Sequence, residues 1–177
     1  MVKYFIFVFL FWGFMNVGIC ALNVGDKAPD FLVRTGDKKE LTLKDCERKI
    51  VVMFYETKDN KEENRRLKDF LKQTFSDIDA DDKERILWTP VVNCSATFPF
   101  TPIWESELVK SSKKEEMNIY GDWDGKVIKN YDFHKKEPNF AVIDEEGVVV
   151  YVKKGILSED DFFEIKKIIE ELIRNKK

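Results

Sequence analysis

"EPNFAVIDEEGVVVYVKKG", residues 137–155, sets two apolar arms around an acidic turn that closes on Gly147. Apolar and β-branched residues on both sides of such a turn predict a β-hairpin. Pro138 stands directly before the first arm and Gly155 directly after the second. Just downstream, Ser158 and Asp161 are three residues apart, the spacing at which each side chain can accept the other's backbone N–H. Phe162, Ile165, Ile168, Ile169, Leu172 and Ile173 then form one apolar stripe, so the chain closes in a capped amphipathic helix of about 16 residues.

Upstream, "KIVVMFY" at 49–55 is a continuous apolar run, as in a strand covered on both faces, and so implies helices above and below a sheet. Leu67, Phe70, Leu71 and Phe75 recur at helical spacing and predict an amphipathic helix of about four turns. "NVGDKAPDFLVRTGDKKELTL" at 23–43 predicts a hairpin of short strands near Phe31–Arg34 and Glu40–Leu43. "SDIDADDKER" at 76–85 breaks the helical period and is expected to be a solvated acidic loop. "WTPVVNC" at 88–94 is expected to start a strand near Thr89 and no earlier, because Pro90 cannot donate to a ladder. "SATFPFTP" at 95–102 predicts a loop with Phe98 and Phe100 exposed, then a short helix from Trp104 to about Lys114. "NIYGDWDGKVIKNY" at 118–131 predicts a strand, a turn and a helical stretch.

A length of 177 residues fits one domain behind a distinct leader. Lys3 precedes an apolar, uncharged run from Tyr4 to Leu22, which is the pattern of an export signal. The small residues of "GICALN" allow cleavage after Cys20 or Ala21, while the run of about 19 residues is also long enough to span a bilayer uncleaved. Lipid attachment at Cys20 is disfavoured by Ile19 before it. Residues 1–22 are therefore expected to be a signal peptide or membrane anchor, and 23–177 an exported domain, periplasmic or otherwise extracytoplasmic. Membrane association is expected only through an uncleaved leader.

The 30 basic and 33 acidic residues are interleaved, with a net charge of -3 and no basic patch, which argues against nucleic acid as a partner. Beyond Cys20 the chain holds two cysteines, Cys46 and Cys94, which an oxidising compartment would pair if they were close. Cys46 precedes one strand and Cys94 ends its neighbour, so about six residues at ~3.3 Å, roughly 20 Å, separate their levels. A disulfide needs Cα atoms within about 7 Å, so no intramolecular bridge is expected.

The order of elements resembles the thioredoxin-like fold, specifically its exported branch with an extra N-terminal hairpin. "VGDKAPDF" at 24–31, "KIVVMFY" leading into a helix, and "EPNFAVIDEEGVVVYVKKG" carry the resemblance. Within that fold "VVNCS", "NIYGDWDGKVIKNYDF" and "VYVKKGILSEDDFFEIKKIIEEL" are similar to the YtfJ-like family. The resemblance implies an α/β domain with a central mixed sheet covered by helices on both faces.

It also implies where a site would lie. The C-x-x-C pair of thioredoxins falls on the first turn of the helix after "KIVVMFY", and here Asp59 and Glu62 occupy those positions, with Asn60 and Lys61 between them. D-x-x-E at this point can cap a helix, contributing about 1 kcal/mol, but carboxylates cannot exchange disulfides. Peroxiredoxins carry one reactive cysteine on the same turn, where this chain has Thr57, Lys58 and Asp59. Pro138 aligns with the family's cis-proline, so Lys58, Asp59, Glu62, Cys94, Phe98, Phe100 and Pro138 are expected to line one binding face.

The function expected is a protein or peptide binding or accessory module without dithiol chemistry. The alternative is a thiol-dependent oxidoreductase or peroxidase-like enzyme whose catalytic residue is Cys94. No cofactor or metal is expected: "DWDG" at 122–125 reads as a turn because the carboxylates of a calcium loop are missing around it, and His134 is the single histidine.

Overall fold

The computed structural model describes residues 22–57 and 64–175. Seven strands form one sheet in the order β2-β1-β5-β4-β3-β6-β7, with β1 Leu32–Thr35, β2 Glu40–Thr42, β3 Ile50–Glu56, β4 Ile86–Asn93, β5 Tyr120–Asp122, β6 Asn139–Ile143 and β7 Val149–Lys154. β3–β4 and β4–β5 are parallel and the other pairings antiparallel, so the sheet is mixed. Five helices complete the fold: α1 Arg65–Thr74, α2 Ala80–Arg85, α3 Thr101–Glu115, α4 Lys126–Asn130 and α5 Glu159–Arg174.

β3 is buried at every residue, as its unbroken apolar run requires of a central strand. Because side chains alternate along a strand, Val51, Met53 and Tyr55 join one core with Val127, Ile128 and Tyr131 around α4. Val52 and Phe54 join the other, with Leu67 and Leu71 of α1 and Phe162, Ile165 and Ile169 of α5. Helices thus cover both faces, and the N-terminal hairpin β1–β2 extends the sheet at its β5 edge. At α5 the Ser158 hydroxyl accepts from Asp161 N–H at 3.3 Å, and Asp161 Oδ2 accepts from Ser158 N–H at 2.6 Å. The capping box is therefore complete.

Two local expectations are corrected. The acidic stretch contains helix α2, which buries none of its residues and so leaves no apolar period to read. Its Asp81 and Asp82 in the first turn and Lys83 and Arg85 in the last suit the helix dipole instead. β4 starts at Ile86, and Pro90 lies inside it, paired with Phe54 of β3. On its other side β4 meets β5 only at Val91–Asn93, so Pro90 stands on an open edge where a missing donor is tolerated. Among the described residues no helix is long and apolar enough to cross a membrane.

Candidate functional site

The strand registers gather one edge of the sheet. Glu56 pairs with Val92, Asn93 with Asp122, Tyr55 with Asn139, and Asn139 with Lys154. The ends of β3, β4, β5 and β7 and the start of β6 therefore share this edge, where open α/β sheets bind ligands. Cys94 follows β4 and Pro138 precedes β6, with β3 between, about 10 Å apart by two strand spacings. Lys58, Asp59 and Glu62, including the D-x-x-E cap, lie outside the described residues. The described part of the helix after β3 begins at Arg65.

Cys94 is 1% exposed and packs with Leu108 and Ile119, beside Trp104 and Trp123. Its N–H donates to Asp122 O at 3.0 Å, and its carbonyl accepts from the Thr97 hydroxyl at 2.9 Å. Burial, reinforced by the negative Asp122, pushes the thiol up to about 12. Cys46, in a short turn at Lys44–Cys46, points its Sγ–H at Thr42 O at 3.2 Å. Burial, with Asp45 nearby, pushes that thiol up to about 12 as well. Both are free thiols in separate clusters, the one with β1 and β2, the other with α3. A thiol this basic is almost wholly protonated at neutral pH and is a poor nucleophile.

Phe98 and Phe100 project outward, 88% and 61% exposed, with Ile103 beside them in the first turn of α3 at 60%. Their loop is held from below: Phe100 N–H donates to Thr97 O at 2.6 Å, and Phe100 O accepts from Ile103 N–H at 3.0 Å.

The cis-proline expected at Pro138 is corrected. Among the described residues the cis peptide bond is Phe98–Pro99, and Glu137–Pro138 is trans. The approach to β6 is shaped by Asn139, whose side-chain amide donates to His134 O at 3.0 Å and Glu137 O at 2.9 Å and accepts from His134 N–H at 2.7 Å. These bonds close the loop around a trans bond. Pro138 is buried, and its carbonyl accepts from Gly155 N–H at 2.8 Å, tying the glycine after the hairpin to the proline before it.

Two features of this edge escaped the sequence reading. The Tyr55 hydroxyl donates to Asp122 Oδ2 at 2.9 Å, and Ile128 N–H donates to the same oxygen at 3.1 Å. Oδ1 is buried and accepts no hydrogen bond. Burial, with the charge of Asp124 adding to it, raises the Asp122 carboxyl. Glu56 is 3% exposed at the end of β3, with Lys68 Nζ 2.8 Å from its Oε1. Burial raises its carboxyl, and the lysine opposes that shift. A charge ending a fully apolar strand was the available signal for Glu56. Nothing in the sequence pairs Tyr55 with a residue 67 positions on.

Of "DWDG", expected to be a turn, Asp122 ends β5 and Trp123–Gly125 form the bend that leads into α4. Trp123 folds back over Gly121, where a Cβ would lie 2.7 Å from the indole, and donates through Nε1 to Arg34 O at 2.9 Å. Gly125, at φ +69°, abuts Ser95, where its Cβ would meet that of the serine at 3.1 Å. The described residues contain no cluster of three or more potential metal ligands. One groove of about 450 Å³ opens between α1 and α5, lined by Arg66, Asp69, Phe70, Glu159, Phe162 and Phe163. A further groove, of about 480 Å³, lies around Lys27, Cys46, Arg48 and Glu145 at the opposite edge of the sheet. Neither touches Cys94 or the two exposed phenylalanines.

The sheet order, the doubly covered β3 and the closing hairpin and helix define a thioredoxin-like protein. The chain matches the profile of the AhpC/TSA family over residues 24–152 and belongs to that family. Solved structures share the fold. One assigned as the thiol:disulfide interchange protein DsbE of Chlorobium tepidum aligns at 18% identity and a TM-score of 0.64, covering 86% of this chain and 99% of that one. A peroxiredoxin-like protein from Aquifex aeolicus aligns at 17% identity and 0.60, covering 86% and 89%. The thioredoxin domain of a thiol-disulfide oxidoreductase from Bacteroides vulgatus aligns at 17% and 0.61, covering 84% and 99%. No curated protein matches the chain.

Proposed function

We propose that this AhpC/TSA-family chain is an exported binding or accessory module that has lost thiol chemistry, within the YtfJ-like branch of the fold. The observation that carries the reading is the state of its sulfurs. The positions that resemblance assigns to reactive cysteines are Asp59 and Glu62, and the two cysteines of the domain are buried, unpaired and pushed up to about 12. Disulfide exchange and peroxide reduction both start from an accessible thiolate, which neither cysteine supplies. Export to an extracytoplasmic compartment is supported by the uncharged run from Tyr4 to Leu22.

The face offered for binding is the edge built by the Cys94 loop, Phe98, Phe100 and Pro138, extended by Lys58, Asp59 and Glu62 from the sequence. The competing reading, a thiol-dependent oxidoreductase or peroxidase acting through Cys94, draws on family membership and on that residue's position at this edge. Assays of insulin disulfide reduction and peroxide consumption, with wild type beside Cys94→Ser, separate the two. The binding-module reading expects both proteins to match the buffer rate. Activity in wild type that vanishes in Cys94→Ser would overturn it.

A further inference from the structure

We propose that the groove between α1 and α5 is a binding site for an organic cation, with a quaternary ammonium group seated against Phe70, Phe162 and Phe163. It lies apart from the Cys94 edge and goes beyond the binding-module reading, on which it does not depend.

Phe70 meets both phenylalanines of α5, its ring centroid 5.7 Å from that of Phe162 at 33° between planes and 5.7 Å from that of Phe163 at 81°. Phe162 is anchored in the core at 8% exposure, whereas Phe163 stands outside the apolar stripe of α5 and is 61% exposed. Core packing therefore accounts for Phe162 but not for Phe163. Together the rings border about 450 Å³ of open groove, room for a small ligand. An aromatic face carries partial negative charge, so rings set at a steep angle to one another attract a cation from more than one side.

The charges that line the groove agree with that sign. Among the described residues they are Arg66, Asp69 and Glu159. Arg66 Nη2 lies 2.8 Å from Glu159 Oε1, so these two offset each other and Asp69 is left unmatched. Of the other bases on α1, Lys68 is held by Glu56 at 2.8 Å, and Arg65 and Lys72 lie outside the lining. Residues 159–164 of α5 carry Glu159, Asp160, Asp161 and Glu164 and no base, and Lys166 beyond them pairs with Glu170 at 2.7 Å. Asp161 is taken by Lys153 at 2.6 Å. The partial positive charge at the start of α5 opposes a cation, but the Ser158–Asp161 capping box and the first-turn acids already offset it. The lining is thus aromatic with one negative charge to spare. A hard metal ion wants several oxygen ligands, whereas this groove offers ring faces and two carboxylates, one of them committed to Arg66. A quaternary ammonium is weakly hydrated and carries apolar methyl groups, so it suits the rings and the residual charge together.

The test uses the full chain in maltoside micelles, which carry its apolar leader and contain no ammonium group. The probes are choline, glycerophosphocholine and the uncharged isostere of choline in which a tert-butyl group replaces trimethylammonium. Proton NMR titration should show saturable binding of choline, with its methyl signal shifted upfield by the rings, at least about fivefold tighter than the isostere. Phe163→Leu, at an unchanged melting temperature, should weaken choline at least about threefold, and Phe163→Trp should tighten it. Asp69→Asn should weaken choline and leave the isostere unchanged. Glycerophosphocholine binding as tightly as choline would support the site with a lipid headgroup as its source, and binding of choline alone would support it with a free cation. Equal affinity for choline and the isostere, choline binding indifferent to Phe163→Leu and Asp69→Asn, or no saturable binding of either cation would overturn the proposal.

Discussion

Cys94 and Asp122 show how position and reactivity come apart at the level of single residues. Cys94 sits at the sheet edge of the candidate site, yet burial and the adjacent Asp122 carboxylate both disfavour its thiolate. Asp122 carries its own penalty, because its raised carboxyl is easiest to accommodate when protonated. An acid whose pKa rises on folding leaves stability intact below its ordinary value of 3.8, and erodes it as pH climbs through the raised folded value. Asp122→Asn keeps an acceptor for Tyr55 and Ile128 and removes the charge. Thermal melts should place this variant above wild type at pH 8, with the gap closing towards pH 4, and a variant melting lower at both would show that the charge is needed.

At the scale of elements, α5 is fixed at both ends by different chemistry. At its start, burial acts to raise the Asp161 carboxyl, but bonds from Lys153 at 2.6 Å, Ser158 and Tyr151 outweigh it and hold the group well below the usual carboxylate range. A depressed folded pKa gives stability that is complete above 3.8 and lost as pH falls below it. Asp161→Asn should therefore lower the melting temperature at pH 7 through the loss of about 1 kcal/mol of stability from the cap, and flatten the loss below pH 4 in an acid titration followed by circular dichroism. At its end, Arg85 donates to Leu172 O at 3.0 Å and Ile173 O at 2.8 Å while gripping Glu145 through two nitrogens, at 2.9 and 3.1 Å. Arg85→Met should cost about 2 kcal/mol in urea unfolding, because it frees the carbonyls of α5 and the carboxylate together. The start of α5 was legible, since the capping box is a local pattern of two residues. Its end was not, because Arg85 lies 87 positions from Leu172 and in a stretch whose charges conceal α2.

For the molecule as a whole, the legible part was the part with a period. The unbroken run of β3, the hairpin around Gly147 and the stripe of α5 between them define the fold, and each is a local consequence of what must be buried. The site was legible in outline only. Phe98 and Phe100 were readable as exposed because two prolines break the chain around them, whereas the trans Glu137–Pro138 bond and the Tyr55–Asp122 pair depend on side chains brought together from distant strands. The most direct test of a family scaffold without a reactive sulfur is the oxidation state of Cys94 after the native protein meets hydrogen peroxide, read by mass spectrometry with a sulfenate-trapping dimedone probe. The account predicts that Cys94 stays an unmodified thiol until the protein is unfolded. Stoichiometric dimedone capture at Cys94 within seconds, in the folded protein, would contradict it.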